Sequence, residues 1–341
     1  MRALTVLALL GVVVGCSSSG ALATDADPTD ARTIDAGGPD ALDGAVACVA
    51  PPRTTACPDQ SEPFSMACLD RTRDCDCPIP PDSTCTGRFP TEGLTPAARW
   101  VPGPFTDARA WAGAWVWSPT PGPRTRLLVT LHGTAGHASA ELYWWAPRVQ
   151  AIRDCLGVDL GIVAVQYHDE SAPDDAGYLS IESTTGGEPD LERLVDTVLS
   201  AERDAGRAAP GGHLFHGFSR GSANMYPLAV LDGATGQRWG TRFIADAGAW
   251  PLGTPGPSPI ADAVAARRTD ALAGVSFYVF YGAQDHDPDR GATQRNAADV
   301  VRMLGGEATV VEDPTGCHAV MEMGAESDRA FAALLWALDA P

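Results

Sequence analysis

The residues Gly217-Phe218-Ser219-Arg220-Gly221 place one serine between two glycines in a Gly-x-Ser-x-Gly pattern. An apolar strand-like run precedes the pattern and a helix-like run follows it. Two glycines there permit a tight, strained strand-to-helix turn that lifts a serine hydroxyl above the end of a sheet. A serine hydroxyl is a poor nucleophile until a base removes its proton, and a histidine oriented by a carboxylate is suited to that task. Seven histidines are candidates for the base: 132, 137, 168, 213, 216, 286 and 318. Asp246, Asp285 and Asp287 lie near the ends of apolar runs, where a carboxylate could orient such a ring.

The elements that must position these residues begin near Phe89. Strands are expected at Arg126–Leu131, Gly161–Tyr167, His213–His216, Phe243–Ala245, Val275–Tyr281 and Ala308–Val311. Helices are expected at Ser139–Leu156, Leu191–Ala205, Ser219–Leu231, Ile260–Leu272, Thr293–Leu304 and Arg329–Leu338. Continuous apolar strands alternating with amphipathic helices indicate an α/β chain with a mostly parallel sheet covered on both faces. Trp111, Trp115 and Trp117 alternate along a run upstream and suggest an antiparallel edge strand with all three on one face. The stretch Tyr167 to Asp190 reads as a long acidic loop able to overhang a pocket. Tyr143, Trp144, Trp145 and Trp250 are candidates for an aromatic binding surface.

In chain order these pieces resemble the α/β-hydrolase-fold serine hydrolases over roughly residues 110 to 341. The resemblance implies Ser219 as nucleophile. Tyr281-Gly282-Ala283-Gln284-Asp285 looks like that family's acid position, with Asp246 and Asp287 as alternatives, and Gly316-Cys317-His318 looks like its histidine position. It further implies an oxyanion hole built from the backbone N–H of Thr134, in Leu131-His132-Gly133-Thr134-Ala135-Gly136, and that of Arg220, with Ala135 as an alternative to Thr134. No large cap is expected in Pro251–Gly274. Secreted feruloyl esterases and polyhydroxyalkanoate depolymerases are the nearest kinds by resemblance. The implied activity is hydrolysis of a small or polymeric carboxylic ester through an acyl-enzyme, with no cofactor and no metal. A serine peptidase of the same fold and a catalytically silent surface binding protein are the alternatives.

The N-terminus points to a compartment. Met1-Arg2 precedes the apolar run Ala3–Gly15, which is too short to span a bilayer and has the shape of an export signal. Cys16 directly after Gly15 makes residues 1–15 resemble a bacterial lipoprotein signal, with Cys16 as the lipidated mature N-terminus. Ser17 rather than Asp resembles the members sorted to the outer membrane, so the expected location is the cell envelope. Residues 16–46 carry six Asp against one Arg and read as an extended acidic tether. Residues 47–88 hold Cys48, Cys57, Cys68, Cys75, Cys77 and Cys85 and read as a disulfide-stapled segment before a catalytic domain at 89–341.

Two further cysteines, Cys155 and Cys317, lie inside that domain. Cys155 is placed near the end of the first helix, far from the end of the sheet where Cys317 precedes His318. They are therefore expected not to bond each other, and either to pair separately with the Cys48–Cys85 group or to stay reduced.

The whole chain of 341 residues has 43 acids against 24 arginines and no lysine, a formal charge of −19. That balance excludes a nucleic-acid partner and a basic membrane patch, leaving the lipid as the expected membrane contact. Cys16→Ser should leave the protein as an unprocessed precursor or release it from the membrane fraction. A variant that fractionates and migrates like wild type would end the lipoprotein reading.

Overall fold

The computed structural model describes residues 48, 93–134, 136–172, 177–234, 239–249, 258–283, 285, 287, 289–314, 318 and 329–339. The chain divides into two units, Met1–Ala45 and Val46–Pro341, and every described residue belongs to the second. The expected signal, the tether, and the Cys-rich segment apart from Cys48 lie outside the described residues.

An eight-stranded sheet organises this unit. Its strands are β1 (Arg99–Pro102), β2 (Gly113–Trp117), β3 (Arg126–Leu131), β4 (Leu160–Gln166), β7 (His213–Phe218), β8 (Gly240–Asp246), β9 (Ser276–Gly282) and β10 (Glu307–Asp313), in the spatial order β1-β2-β4-β3-β7-β8-β9-β10. The six from β4 to β10 run parallel, while β2 is antiparallel to both β4 and β1. The helices are α1 (Ala138–Leu156), α2 (Asp190–Asp204), α3 (Arg220–Ala234), α4 (Pro259–Ala265), α5 (Arg290–Met303) and α6 (Arg329–Ala337).

Side-chain alternation along the strands divides the apolar core into two layers. Val129, Phe215, Phe243, Phe277 and Val279 face α2, α3 and α5. Leu128, Leu214, Ile244, Tyr278 and Phe280 face α1 and α6. Every residue of β4, β7 and β9 is buried, because helices close both faces of the central strands. This is why those strands read as unbroken apolar runs.

Three expectations need correction. The tryptophan strand β2 is not the edge, because β1 lies outside it. With only Val101 buried in Arg-Trp-Val-Pro, β1 carries almost no apolar signal. Trp115 and Trp117 do share the α1 face, but Trp111 precedes the strand and packs on the opposite layer. The helix expected over Ile260–Leu272 ends at Ala265, where Arg267 adopts φ 52° and the N–H of Arg268 bonds the carbonyl of Ala263. Within the 167–190 loop, Gly186 and Gly187 turn a two-residue hairpin, β5 (Thr184–Thr185) with β6 (Glu188–Pro189).

Cys155, near the C-terminal end of α1, forms a disulfide with Cys48 across a separation of 107 residues. The segment before the sheet is thus tied to the end of α1 away from the serine turn. Cys317 lies outside the described residues. A loop of that length corresponds to about 4–5 kcal/mol of chain-entropy stabilisation. Replacing Cys48 and Cys155 together by Ser should lower the melting midpoint by about 5–15 °C. Non-reducing peptide mapping should recover the Cys48–Cys155 cross-link. A Cys155–Cys317 peptide in its place would contradict this placement of α1.

Candidate active site

β7 ends at Phe218 and α3 begins at Arg220, so Ser219 alone carries the reversal, in the left-handed region at φ 50°. A non-glycine residue there costs about 1–2 kcal/mol, which the surroundings must hold in place. They do so through the backbone. The Ser219 N–H donates to the Asp246 carbonyl (2.8 Å), and the Ser219 carbonyl accepts from the Ala223 N–H (3.1 Å). The flanking glycines are required by contact. A Cβ on Gly217 would run into the backbone of Gly221, and one on Gly221 would strike the carbonyl oxygens of Leu131 and His132. The motif therefore works as a close backbone crossing between the elbow and the end of β3.

Beyond β3, the turn His132-Gly133-Thr134 is pinned from below. His132 is buried, stacks on Tyr167 (centroids 4.4 Å apart), and has its carbonyl bonded by the Tyr167 hydroxyl at 2.5 Å. Its Nδ1 lies 2.8 Å from the Gly133 carbonyl, so this nitrogen carries the proton and donates. Burial pushes the His132 imidazole down to about 3, so it stays neutral and structural. Gly133 in turn abuts Phe218 and the Cβ of Ser219.

His318 follows β10 by five residues and Asp285 follows β9 by three. His318 Nδ1 lies 2.7 Å from Asp285 Oδ2, and the ring sits 5.1 Å from the Phe218 ring, beside Ser219. The Asp285 side chain is 1% exposed. Burial opposes its charge, but the His318 bond and charge, the Asp287 N–H (3.0 Å) and the Arg290 guanidinium (3.2 Å) outweigh burial. Its carboxyl is held below the usual carboxylate range. With the Nδ1 proton directed at Asp285, Nε2 is the proton-accepting nitrogen of a neutral His318.

The structure brings Ser219, Arg220 and Thr134 together around one cavity of about 440 Å³. Tyr178, Leu179, Ser180 and Glu182 from the 167–190 loop form one wall, and Tyr167, Asn224 and Arg290 complete it. The remaining candidates stand elsewhere. Asp287 pairs with Arg290 at the start of α5 (3.4 Å). His213 accepts from the Leu127 N–H, and burial lowers it to about 4. His216 lies under the sheet against Thr130 and Trp145, lowered by burial to about 3. His137 faces Glu170, and His168 stacks on Tyr178. Ala135, His286 and Trp250 lie outside the described residues. Trp144 and Trp145 are buried and do not line the cavity; Trp145 instead donates to Glu141 beneath the sheet. An aromatic run in a helix signals burial as readily as binding, and here burial prevails.

Sequence reading passed over Tyr167, Asn224 and Arg290. Asn224 lies one turn after Arg220, and Arg290 opens α5, so the spacing held a signal only in retrospect. Among the described residues, no group of three His, Cys, Asp or Glu is arranged to hold a metal ion.

No family model matches the chain, and no curated protein matches it in sequence. Solved structures do. An esterase of Rhizomucor miehei superposes with a TM-score of 0.50 over 71% of this chain and 81% of its own, at 11% identity. A bacterial heroin esterase gives 0.49 over 72% and 83% at 17% identity, and the Pyrobaculum calidifontis esterase 0.48 over 71% and 83% at 17%. With the strand order above, the chain has the α/β-hydrolase fold.

Beneath the elbow lies an unusual acid. Asp246 is fully buried, and neither carboxylate oxygen makes a hydrogen bond. Burial, with the nearby charges of Glu141 and Asp285, raises its carboxyl well above the usual range. Glu141 is itself pushed up to about 7 by burial, despite bonds from Thr130 and Trp145. A buried acid kept protonated binds a proton that the unfolded chain has lost. Its cost to stability is absent below the unfolded carboxylate range, near 4, and grows as pH rises toward the folded value. Asp246→Asn should therefore melt a few degrees higher than wild type at pH 7–8, and the gain should vanish near pH 4. Calorimetric melts across that range check this. A variant less stable at pH 8 would show that Asp246 is held as an anion.

Proposed function

We propose that this α/β-hydrolase-fold chain is an exported serine hydrolase that cleaves carboxylic esters through an acyl-enzyme. The observation that carries the reading is Ser219 held at φ 50° at a strand-to-helix elbow in the cavity wall, with a His318–Asp285 pair set against the neighbouring Phe218 ring. That an esterase of Rhizomucor miehei shares the fold supports it.

In this reading His318 Nε2 takes the Ser219 proton as Oγ attacks the ester carbonyl. The tetrahedral oxyanion is met by the backbone N–H groups of Thr134 and Arg220, each worth about 3–4 kcal/mol in the transition state. His318 then protonates the departing alcohol, leaving the acyl group on Ser219. A water activated by the same imidazole hydrolyses that intermediate and restores the serine. Asp285 fixes the ring's tautomer and stabilises the imidazolium formed in both halves. Strain at Ser219 is held by contacts remote from the reacting atoms, so the hydroxyl need not reorganise during the reaction. Export and lipid attachment at Cys16 belong to the same proposal and rest on the N-terminal sequence.

A fluorophosphonate probe should label Ser219 covalently. Ser219→Ala should lose the label and retain at most a few per cent of short-chain aryl ester hydrolysis, with an unchanged melting midpoint. Asp285→Asn should lower kcat by about 10³–10⁴-fold while leaving KM nearly unchanged. Robust turnover by the folded Ser219→Ala protein would remove Ser219 from its role.

A further inference from the structure

Arg220 contributes more to the cavity than a backbone N–H. Its side chain lines the cavity beside Ser219, with the guanidinium carbon 4.0 Å above the Tyr178 ring. Among the described residues that guanidinium makes no ion pair and no hydrogen bond. This is notable in a chain where acids outnumber arginines 43 to 24. The other arginine of the wall, Arg290, is committed to Asp285 and Asp287 at 3.2 and 3.4 Å. Arg109 is likewise held by Asp107 and Asp190, and Arg295 by Glu312. Among the described residues the one carboxylate lining the cavity is Glu182, which is exposed and makes no ion pair with Arg220.

An arginine stacked by one face on an aromatic ring keeps its in-plane N–H edge available. That edge is a planar fork matched to a carboxylate. Tyr178 therefore orients the fork, and the elbow sets it one residue from the nucleophile. We propose that Arg220 is a specificity determinant, and that the esters this site accepts carry a carboxylate. The anion would sit on the guanidinium edge while the ester carbonyl reaches Ser219. The inference rests on the ester-hydrolase reading and names its substrate class. At about 440 Å³ the cavity has room for a small acid ester.

The test compares matched pairs of esters on the full-length protein, at about 0.15 M salt to screen the −19 net charge. Mono-4-nitrophenyl adipate against 4-nitrophenyl hexanoate places the carboxylate in the acyl half. 4-Acetoxybenzoate against 4-acetoxybenzamide places it in the alcohol half. Within each protein the quantity read is the ratio of kcat/KM for the anionic ester to that for the neutral one, so any disturbance of the elbow cancels.

In at least one pair that ratio should fall about tenfold or more in Arg220→Gln, mainly through KM. Arg220→Lys should keep part of it, since the charge remains but the fork does not. Tyr178→Ala should also lower it, by freeing the guanidinium. The pair that responds tells which half of the ester carries the anion. If neutral esters turn over and both ratios are the same in wild type and Arg220→Gln, the assignment to Arg220 is overturned while the ester-hydrolase reading stands. If no ester of either kind is hydrolysed, that reading falls and this inference with it.

Discussion

The site depends on one steric constraint, the close crossing of the elbow backbone over the end of β3. Gly217 and Gly221 have no room for a Cβ, because the backbone of one motif glycine and the carbonyls of Leu131 and His132 already occupy the space. That contact forces Ser219 into the left-handed region and sets the His132–Thr134 turn against it. The candidate nucleophile and candidate oxyanion donors are thus placed by backbone packing, which is stiffer than side-chain packing. The adjacency of β3 and β7 in the sheet, with Leu131 opposite Gly217, is what delivers the two turns to the same spot.

The charged part of the site is assembled from the other side. β8 lies next to β7 and β9 next to β8, so residues at and beyond their C-terminal ends approach Ser219 from one flank. Asp246 and Asp285 both emerge there, yet they meet opposite conditions. Asp285 finds an imidazole, a guanidinium and an amide, and these favour its charge over burial. Asp246 finds apolar surroundings and two neighbouring acids, and these favour its neutral form. Two aspartates at or just beyond neighbouring strand ends are thereby separated into one whose charge is favoured beside His318 and one whose neutral form is favoured beneath the elbow.

The polarity of the cavity wall runs against that of the chain. A protein with net charge −19 presents a potential that repels anions at long range. Inside the cavity, Arg220 and Arg290 bring positive charge to the wall, and of the two only Arg290 pairs with acids among the described residues. The same loop that supplies Tyr178 as a platform for Arg220 also supplies Tyr167, which bonds the His132 carbonyl. One loop therefore supports the candidate oxyanion turn and lines the cavity.

By itself the sequence determined what depends on local pattern. Apolar runs alternating with amphipathic stretches specified the parallel sheet and its helices, because strands covered on both faces must be apolar throughout. The serine was legible because only glycine tolerates the backbone approach around it, and the position of His318 after the last apolar run was legible from chain order. Strand β1 was not legible, since four residues of which only Val101 is buried carry no period. The tryptophans of α1 could not be assigned to core or cavity, since a helix shows its face only when something packs on it. The sequence put Asp285 ahead of Asp246 and Asp287 by resemblance alone; that Asp285 is the one bonded to His318 is a property of the tertiary structure. All three stand near strand ends, and what separates them is which one a ring, a guanidinium and an amide surround. Arg220 was likewise visible in the motif, but its stacking on Tyr178 arises only when a loop some forty residues upstream folds over it.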